Sequence, residues 1–202
     1  MRYLFDVGAH WGQDSLEITE KNDDIVCYAF EPTPELADQL VQKSRTFSER
    51  YHVVPVAISS YDGISNFHLV VGDTGSASLN AFNDNLNETW PGRTDFVVRK
   101  TIKVPVFKLS TWISQYAPHV TEIYHLHIDA QGSDLKVLEG LEDMISIVQS
   151  GVIEVPQEEK LRLYKGQHTK EDCLNFLNRN NFVITNVVSQ VNEDNIFFER
   201  KK

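Results

Sequence analysis

The stretch Leu4–Ser15, LFDVGAHWGQDS, decides how this chain reads. A hydrophobic strand, Arg2–Val7, runs through Gly8 and Gly12 straight into a short helix, Asp14–Lys21. A strand ending in Asp-x-Gly-x-x-x-Gly brings backbone close to a ligand, because glycines lack the side chains that would hold it away. The turn also lies at the carboxyl end of a strand, the edge at which open α/β sheets bind ligands.

Glu31 ends the next strand, 25 residues after Asp6, where an acidic group accepts the hydroxyl protons of a ribose. Together these residues describe a nucleoside pocket. The dinucleotide fingerprint G-x-G-x-x-G is absent, since His10 occupies the place of its second glycine, so a pyrophosphate fits poorly. A carboxylate at Asp6 suits an amine or sulfonium better than a phosphate. S-adenosylmethionine meets those demands, and a nicotinamide-dependent oxidoreductase on the same sheet is the rival reading.

Working outward, Ile25–Pro32 is a second strand, and Thr33 caps a helix with Pro34 at its first position and Leu36, Leu40, Val41 and Phe47 on one side. YHVVPVAIS places a third strand at His52–Ser59. This alternation predicts an open, mostly parallel sheet with right-handed crossovers. Between about residues 61 and 106 the pattern changes to an inserted β-hairpin whose tip, GDTGSASLNAFNDN, reads as a loose polar loop. The parallel order resumes with a strand at Ile123–Asp129, a helix capped by Ser133, a strand at Gly151–Val155 and a helix from Thr169 to about Arg179. FVITNVV and NIFFE, joined by a short polar loop, close the chain as an antiparallel hairpin.

The 202 residues are 41% hydrophobic and carry no repeat, which suits a single domain, 1–202, with the insertion within it. A formal charge of −10 argues against nucleic acid and anionic membranes as partners. No long apolar run and no signal-peptide pattern occur, so a soluble, cytoplasmic protein is expected, with Cys27 and Cys173 as free thiols.

DVGAHWG, FEPTPE, VAISSYDG, SASL, VPVFKLSTWI, IDAQGSDLKVLEG, VIEV and NIFFE stand in this order along nearly the whole chain. In that ordered set the sequence resembles the FkbM-type methyltransferases of the class I S-adenosylmethionine-dependent superfamily. The resemblance implies a Rossmann-like class I fold, a seven-stranded, mostly parallel sheet with its last strand antiparallel. It also implies methylation of a hydroxyl, on a sugar or glycan or a polyketide-like metabolite. Carried onto this sequence, the cofactor would lie against Asp6, Gly8, Ala9, His10, Gly12 and Glu31, with its adenine on Ala57 and Ile58. Gln131 and Ser110 stand where the family usually has acids. Many proteins of the superfamily place a helix before the first strand, and Met1 comes only five residues before Asp6. A domain drawn from a longer chain, whose other domains build the glycan, is one expectation; a short natural protein is the other.

For the chemistry, strand alternation sets His125, His127 and Asp129 on one face, opposite Tyr124, Leu126 and Ile128. His125 reads as a satisfied core histidine, and Asp129, at the strand's carboxyl end, as a catalytic group. Asp129 and Glu154, on neighbouring strand ends, could orient a sugar hydroxyl or hold a divalent cation, although no spacing signature decides for a metal. His168, in the loop before the last helix, is the alternative base. A non-catalytic domain that keeps the nucleoside pocket and binds glycan through its loop stays open as a further reading.

Overall fold

The computed structural model describes residues 1–202. Strand β1 (Arg2–Val7) is buried from Leu4 to Val7, Asp6 included, and β2 (Ile25–Phe30) is apolar and buried throughout, as central parallel strands are when helices lie over them. Helices α1 (Gln13–Lys21) and α2 (Pro34–Lys43) follow them. In α2 the residues Leu36, Ala37 and Leu40 are buried, but Val41 is 50% exposed, so the apolar stripe is narrower than the sequence suggests. Thr33 stands at the cap position without a capping side-chain bond.

The expected strand His52–Ser59 is two strands. β3 (Tyr51–Val54) pairs with β2, whereas β4 (Ala57–Ile58) pairs with the inserted hairpin. Pro55 lies at the break, where its missing N–H ends the ladder. The hairpin is β5 (Gly63–Gly72) and β6 (Phe96–Phe107), antiparallel, so the second sheet has the order β4-β6-β5. A four-residue helix α3 (Leu86–Thr89) lies in its tip.

That tip is docked rather than loose. Ser78 Oγ donates to the Gln131 carbonyl at 2.6 Å, Asn80 Nδ2 donates to Ser133 Oγ at 2.9 Å, and the Phe82 ring stacks on Tyr164 at 5.3 Å. From β6 the chain crosses through α4 (Leu109–Tyr116), a helix the sequence reading did not place. Its Trp112 packs edge-on against Phe5, Tyr28 and Phe30.

The remaining elements are β7 (His125–Ile128), α5 (Asp134–Glu139), β8 (Ser150–Pro156), α6 (Lys170–Arg179), β9 (Phe182–Ser189) and β10 (Glu193–Arg200). The main sheet has the order β3-β2-β1-β7-β8-β10-β9. β10 runs antiparallel to both its neighbours, and the other pairs are parallel. Thr169 and Asp172 form a reciprocal capping box at the start of α6. Ser133, expected to cap α5, makes no capping bond; Asp134 instead accepts the N–H groups of Ala130 and Gly132.

One sheet face is covered by α4, α5 and α6, around Phe5, Leu126, Ile128, Ile153 and Phe198. On the other face, α1 and α2 pack over Leu4, Cys27, Ala29 and Tyr51. Beyond β1 that second face is open, and His125, His127, Asn195 and Phe197 line a groove there. Hence His125 is not a core residue as the alternation suggested, because its side of β7 carries no helix. Both cysteines are buried and free, and no helix is long and apolar enough to cross a membrane.

Candidate active site

At the end of β1 the chain turns with Gly8 at φ +82°, and the Gly8 and Ala9 N–H groups both donate to the Phe30 carbonyl. A side chain on Gly8 would place its Cβ 1.8 Å from the Asp129 carbonyl oxygen, so the glycine is demanded by the protein's own backbone as well as by the turn. A Cβ on Gly12, at φ +66°, would meet Leu40 and Tyr51. Gly12 therefore serves the packing of α1 on α2, and it does not line the cleft. Between them His10 takes φ +48°, donates its N–H to Glu31 Oε2 at 2.9 Å, and sets its ring Nε2 2.8 Å from Thr74 Oγ1. Trp11 lies at the rim with the Lys43 ammonium 5.1 Å from its ring centre.

Glu31 is buried, and its Oε1 accepts the Thr33 N–H at 2.7 Å. Burial pushes its carboxyl up, against the opposing effect of those bonds. Each oxygen keeps a further lone pair. Phe30, Val56, Ala57 and Ile58 form an apolar wall beside it, and Phe67, Thr74, Gly75, Ala77 and Leu79 of the hairpin roof the cleft. Cleft and open groove meet at Gly8, His10 and Asp129.

Asp129 follows β7 directly. Its Oδ1 accepts from Gln131 Nε2, which also reaches Glu154 Oε2 at 3.3 Å. Tyr164 Oη donates toward both Gln131 Oε1 at 2.6 Å and the Ser76 carbonyl at 2.9 Å. Burial raises the Asp129 carboxyl and lifts Glu154 well above the usual range, with the Asp129 charge adding to the latter. Asp134 is pushed up to about 7 and Glu193 to about 8, again by burial first. His168 lines neither cavity; its Nδ1 is buried without a partner at the start of α6. No set of three or more His, Cys, Asp and Glu side chains is arranged to hold a metal ion.

In the groove, His127 Nδ1 donates to Asp6 Oδ1 at 2.8 Å. Burial alone would lower this imidazole, but the bond to Asp6 and the charges of Asp6, Asp129 and Asp14 overrule it and raise it to about 9. His125 is lowered to about 4 by burial and by the nearby charge of His127. Because Ser150 Oγ donates to the Tyr124 carbonyl, His125 Nδ1 is the donor in its 2.9 Å bond to that hydroxyl. The His127–Asp6 pair has a pH signature. Its folded value of about 9 exceeds the ordinary 6.5, so its stabilisation is complete below pH 6.5 and is lost as pH rises through 9. Melting temperatures measured from pH 6 to pH 10 are expected to fall less in His127→Gln than in the wild type. Parallel curves would contradict the pairing.

Two residues of this site had weak signals in the sequence. The HLHID alternation placed His127 on the right face without its partner, and nothing in LRLYKG marks Tyr164.

A seven-stranded sheet in this order, with an antiparallel strand inserted near one edge and a glycine turn after its first strand, is the fold of class I S-adenosylmethionine-dependent methyltransferases. Among solved structures the chain is similar to M. capricolum TrmK in complex with S-adenosyl-homocysteine. That match has a TM-score of 0.51 and 9% identity, and covers 100% of this chain and 63% of the other. It is also similar to an O-methyltransferase family 2 protein from Planctomyces limnophilus DSM 3776 in complex with apigenin, with a TM-score of 0.50, 10% identity, and coverage of 99% and 50%. The chain thus spans about half to two thirds of these relatives. No curated protein matches it significantly. The family model of the methyltransferase FkbM domain matches residues 6–184, and the chain belongs to that family of methyltransferases.

Proposed function

We propose that this chain is an O-methyltransferase that takes S-adenosylmethionine in the cleft after β1 and methylates a hydroxyl of a sugar or glycan. The observation that carries the reading is the pairing of Glu31, whose two oxygens keep lone pairs after binding backbone, with the apolar wall of Val56, Ala57 and Ile58. That donor set fits a ribose beside an adenine. Asp129 offers negative charge to the sulfonium of the same molecule, whereas Asp6 lies in the adjoining groove, paired with His127. When bound, the cofactor supplies a methyl group already activated by its sulfonium.

What remains for the protein is positioning and proton removal. Asp129 Oδ2 has no hydrogen-bond partner in the protein and stands where cleft and groove meet, so it is the group assigned to accept the proton of the acceptor hydroxyl. Glu154 acts through Gln131, and His168 has no assigned role. The charge of −10 and the acids around the site favour a neutral acceptor over a polyanion. A less polar small-molecule hydroxyl is the second reading, favoured by Phe67, Ala77 and Leu79 in the roof.

Radiolabelled methyl transfer across a panel of sugars, oligosaccharides and small phenols, with and without a chelator, tests the proposal. Chelator-insensitive labelling of a sugar is the expected result, and labelling confined to phenols would replace the glycan reading by the second. For the cofactor, Glu31→Ala is expected to weaken S-adenosylhomocysteine binding about 100-fold, since hydrogen bonds to a charged group are lost. An unchanged affinity in calorimetry would remove the ribose assignment.

A further inference from the structure

Gln131 is held more firmly than a loop glutamine needs to be. Its backbone sits at φ +48°, followed by Gly132 at φ +84°, and its carbonyl accepts from Ser78 Oγ at 2.6 Å. Any side chain on Gly132 would strike the Tyr164 ring, with the nearest atom 2.7 Å from its Cβ. The glycine therefore lets Tyr164 press against the turn, where its hydroxyl fixes Gln131 Oε1 at 2.6 Å. The single Tyr164 hydroxyl hydrogen is shared between Gln131 Oε1 and the Ser76 carbonyl, and it is the acceptor oxygen of Asp129 that turns the amide nitrogen toward the carboxylates. That nitrogen reaches Asp129 Oδ1 and Glu154 Oε2.

We propose that Gln131 is a positioning residue that spends its two amide hydrogens on Asp129 and Glu154, tying them into one carboxylate pair and aiming the free Oδ2 of Asp129 at the acceptor. This deepens the assignment of Asp129 as the base and rests on it. Two carboxylates that meet at one amide nitrogen in a buried site disfavour each other's ionisation, and their titration belongs to the pair. The amide relieves part of their repulsion without a cation. In turnover the hydroxyl proton passes to Asp129 Oδ2 as the oxygen–methyl bond forms, and the electron pair of the broken carbon–sulfur bond leaves with sulfur. Asp194, Lys170 and His168 do not contact the pair; the charged groups that face it are Asp134, Glu193, Asp6, Asp73 and His127.

Carbon-13 NMR titration of the Asp and Glu carboxyl groups, on protein saturated with S-adenosylhomocysteine, tests this without an acceptor. In Gln131→Met, which keeps the length and loses both donors, the pair's ionisation is expected to move upward by about one pH unit or more. S-adenosylhomocysteine affinity is expected to stay within about three-fold of the wild type, as the amide touches the carboxylates rather than the ribose site. Should Gln131→Met fail to fold, Tyr164→Phe releases the amide oxygen and is expected to shift the pair in the same direction by less. Gln131→Glu, the same shape with a third carboxylate, is expected to bind Mn²⁺ and broaden the Asp129 and Glu154 signals, with no such broadening expected in the wild type.

Wild-type titration in both Gln131→Met and Tyr164→Phe would overturn the role of Gln131. Methyl transfer by Asp129→Asn separates that failure from failure of the underlying reading. An inactive Asp129→Asn beside an unshifted Gln131→Met removes Gln131 alone, whereas an active Asp129→Asn removes the base and the inference with it.

Discussion

Asp129→Asn is expected to reduce methyl transfer by about 100-fold or more while the protein folds and binds S-adenosylhomocysteine as the wild type does. The substitution keeps the size of the side chain and an oxygen that accepts from Gln131 Nε2, so the turn after β7 retains its geometry. It removes the basicity of the free oxygen, and a sugar hydroxyl is a poor nucleophile until its proton leaves. The matching expectation is that His168→Ala is mild, because His168 lines neither cavity. Near wild-type turnover in Asp129→Asn, measured with the best acceptor of the panel, would rule out Asp129 as the base. If that outcome came with activity abolished by a chelator, a bound metal would have to activate the hydroxyl.

Gly8→Val is expected to be the most damaging single change in the cofactor turn. Its Cβ would stand 1.8 Å from the Asp129 carbonyl oxygen, where no rotamer choice helps because the clash is with backbone. A β-branched residue at φ +82° adds strain of its own. The variant is expected to lose stability on the order of 4 kcal/mol, in the range reserved for core disruption, and to lose cofactor binding with it. Thermal melting and calorimetry check both. A variant with the wild-type melting temperature and normal affinity would show that the β1–β7 approach is misplaced.

The order of elements was legible in the sequence because central strands and capped helices carry strong local signals. β1, β2, α6 and the closing hairpin follow from apolar runs, from Thr169 with its capping partner and from a loop too short for a crossover. Two features depended on partners distant in the chain. The break at Pro55 moves Ala57 and Ile58 into a second sheet, which becomes evident once β6 is there to pair with them. The roof of the cleft needs Tyr164, 88 residues beyond Ser76, to pin the hairpin tip. Within the site, the places of Glu31 and Asp129 at strand ends beside the cleft could be read from position alone, whereas Asp6 lies in the groove against His127. The Gln131 bridge could not, since its meaning lies in which oxygens and hydrogens face Asp129, Glu154 and Tyr164. α4 is a different case: Leu109, Trp112 and Ile113 carry a helical spacing that was legible and went unread.

Every assignment above depends on the β1 cleft taking the nucleoside of S-adenosylmethionine and not a pyrophosphate cofactor. Isothermal titration of the wild-type protein with S-adenosylhomocysteine and, separately, with NAD tests it most directly. Saturable one-to-one binding of S-adenosylhomocysteine is expected, lost or much weakened in Glu31→Ala, with no binding of NAD. Binding of NAD with no response to S-adenosylhomocysteine would contradict it.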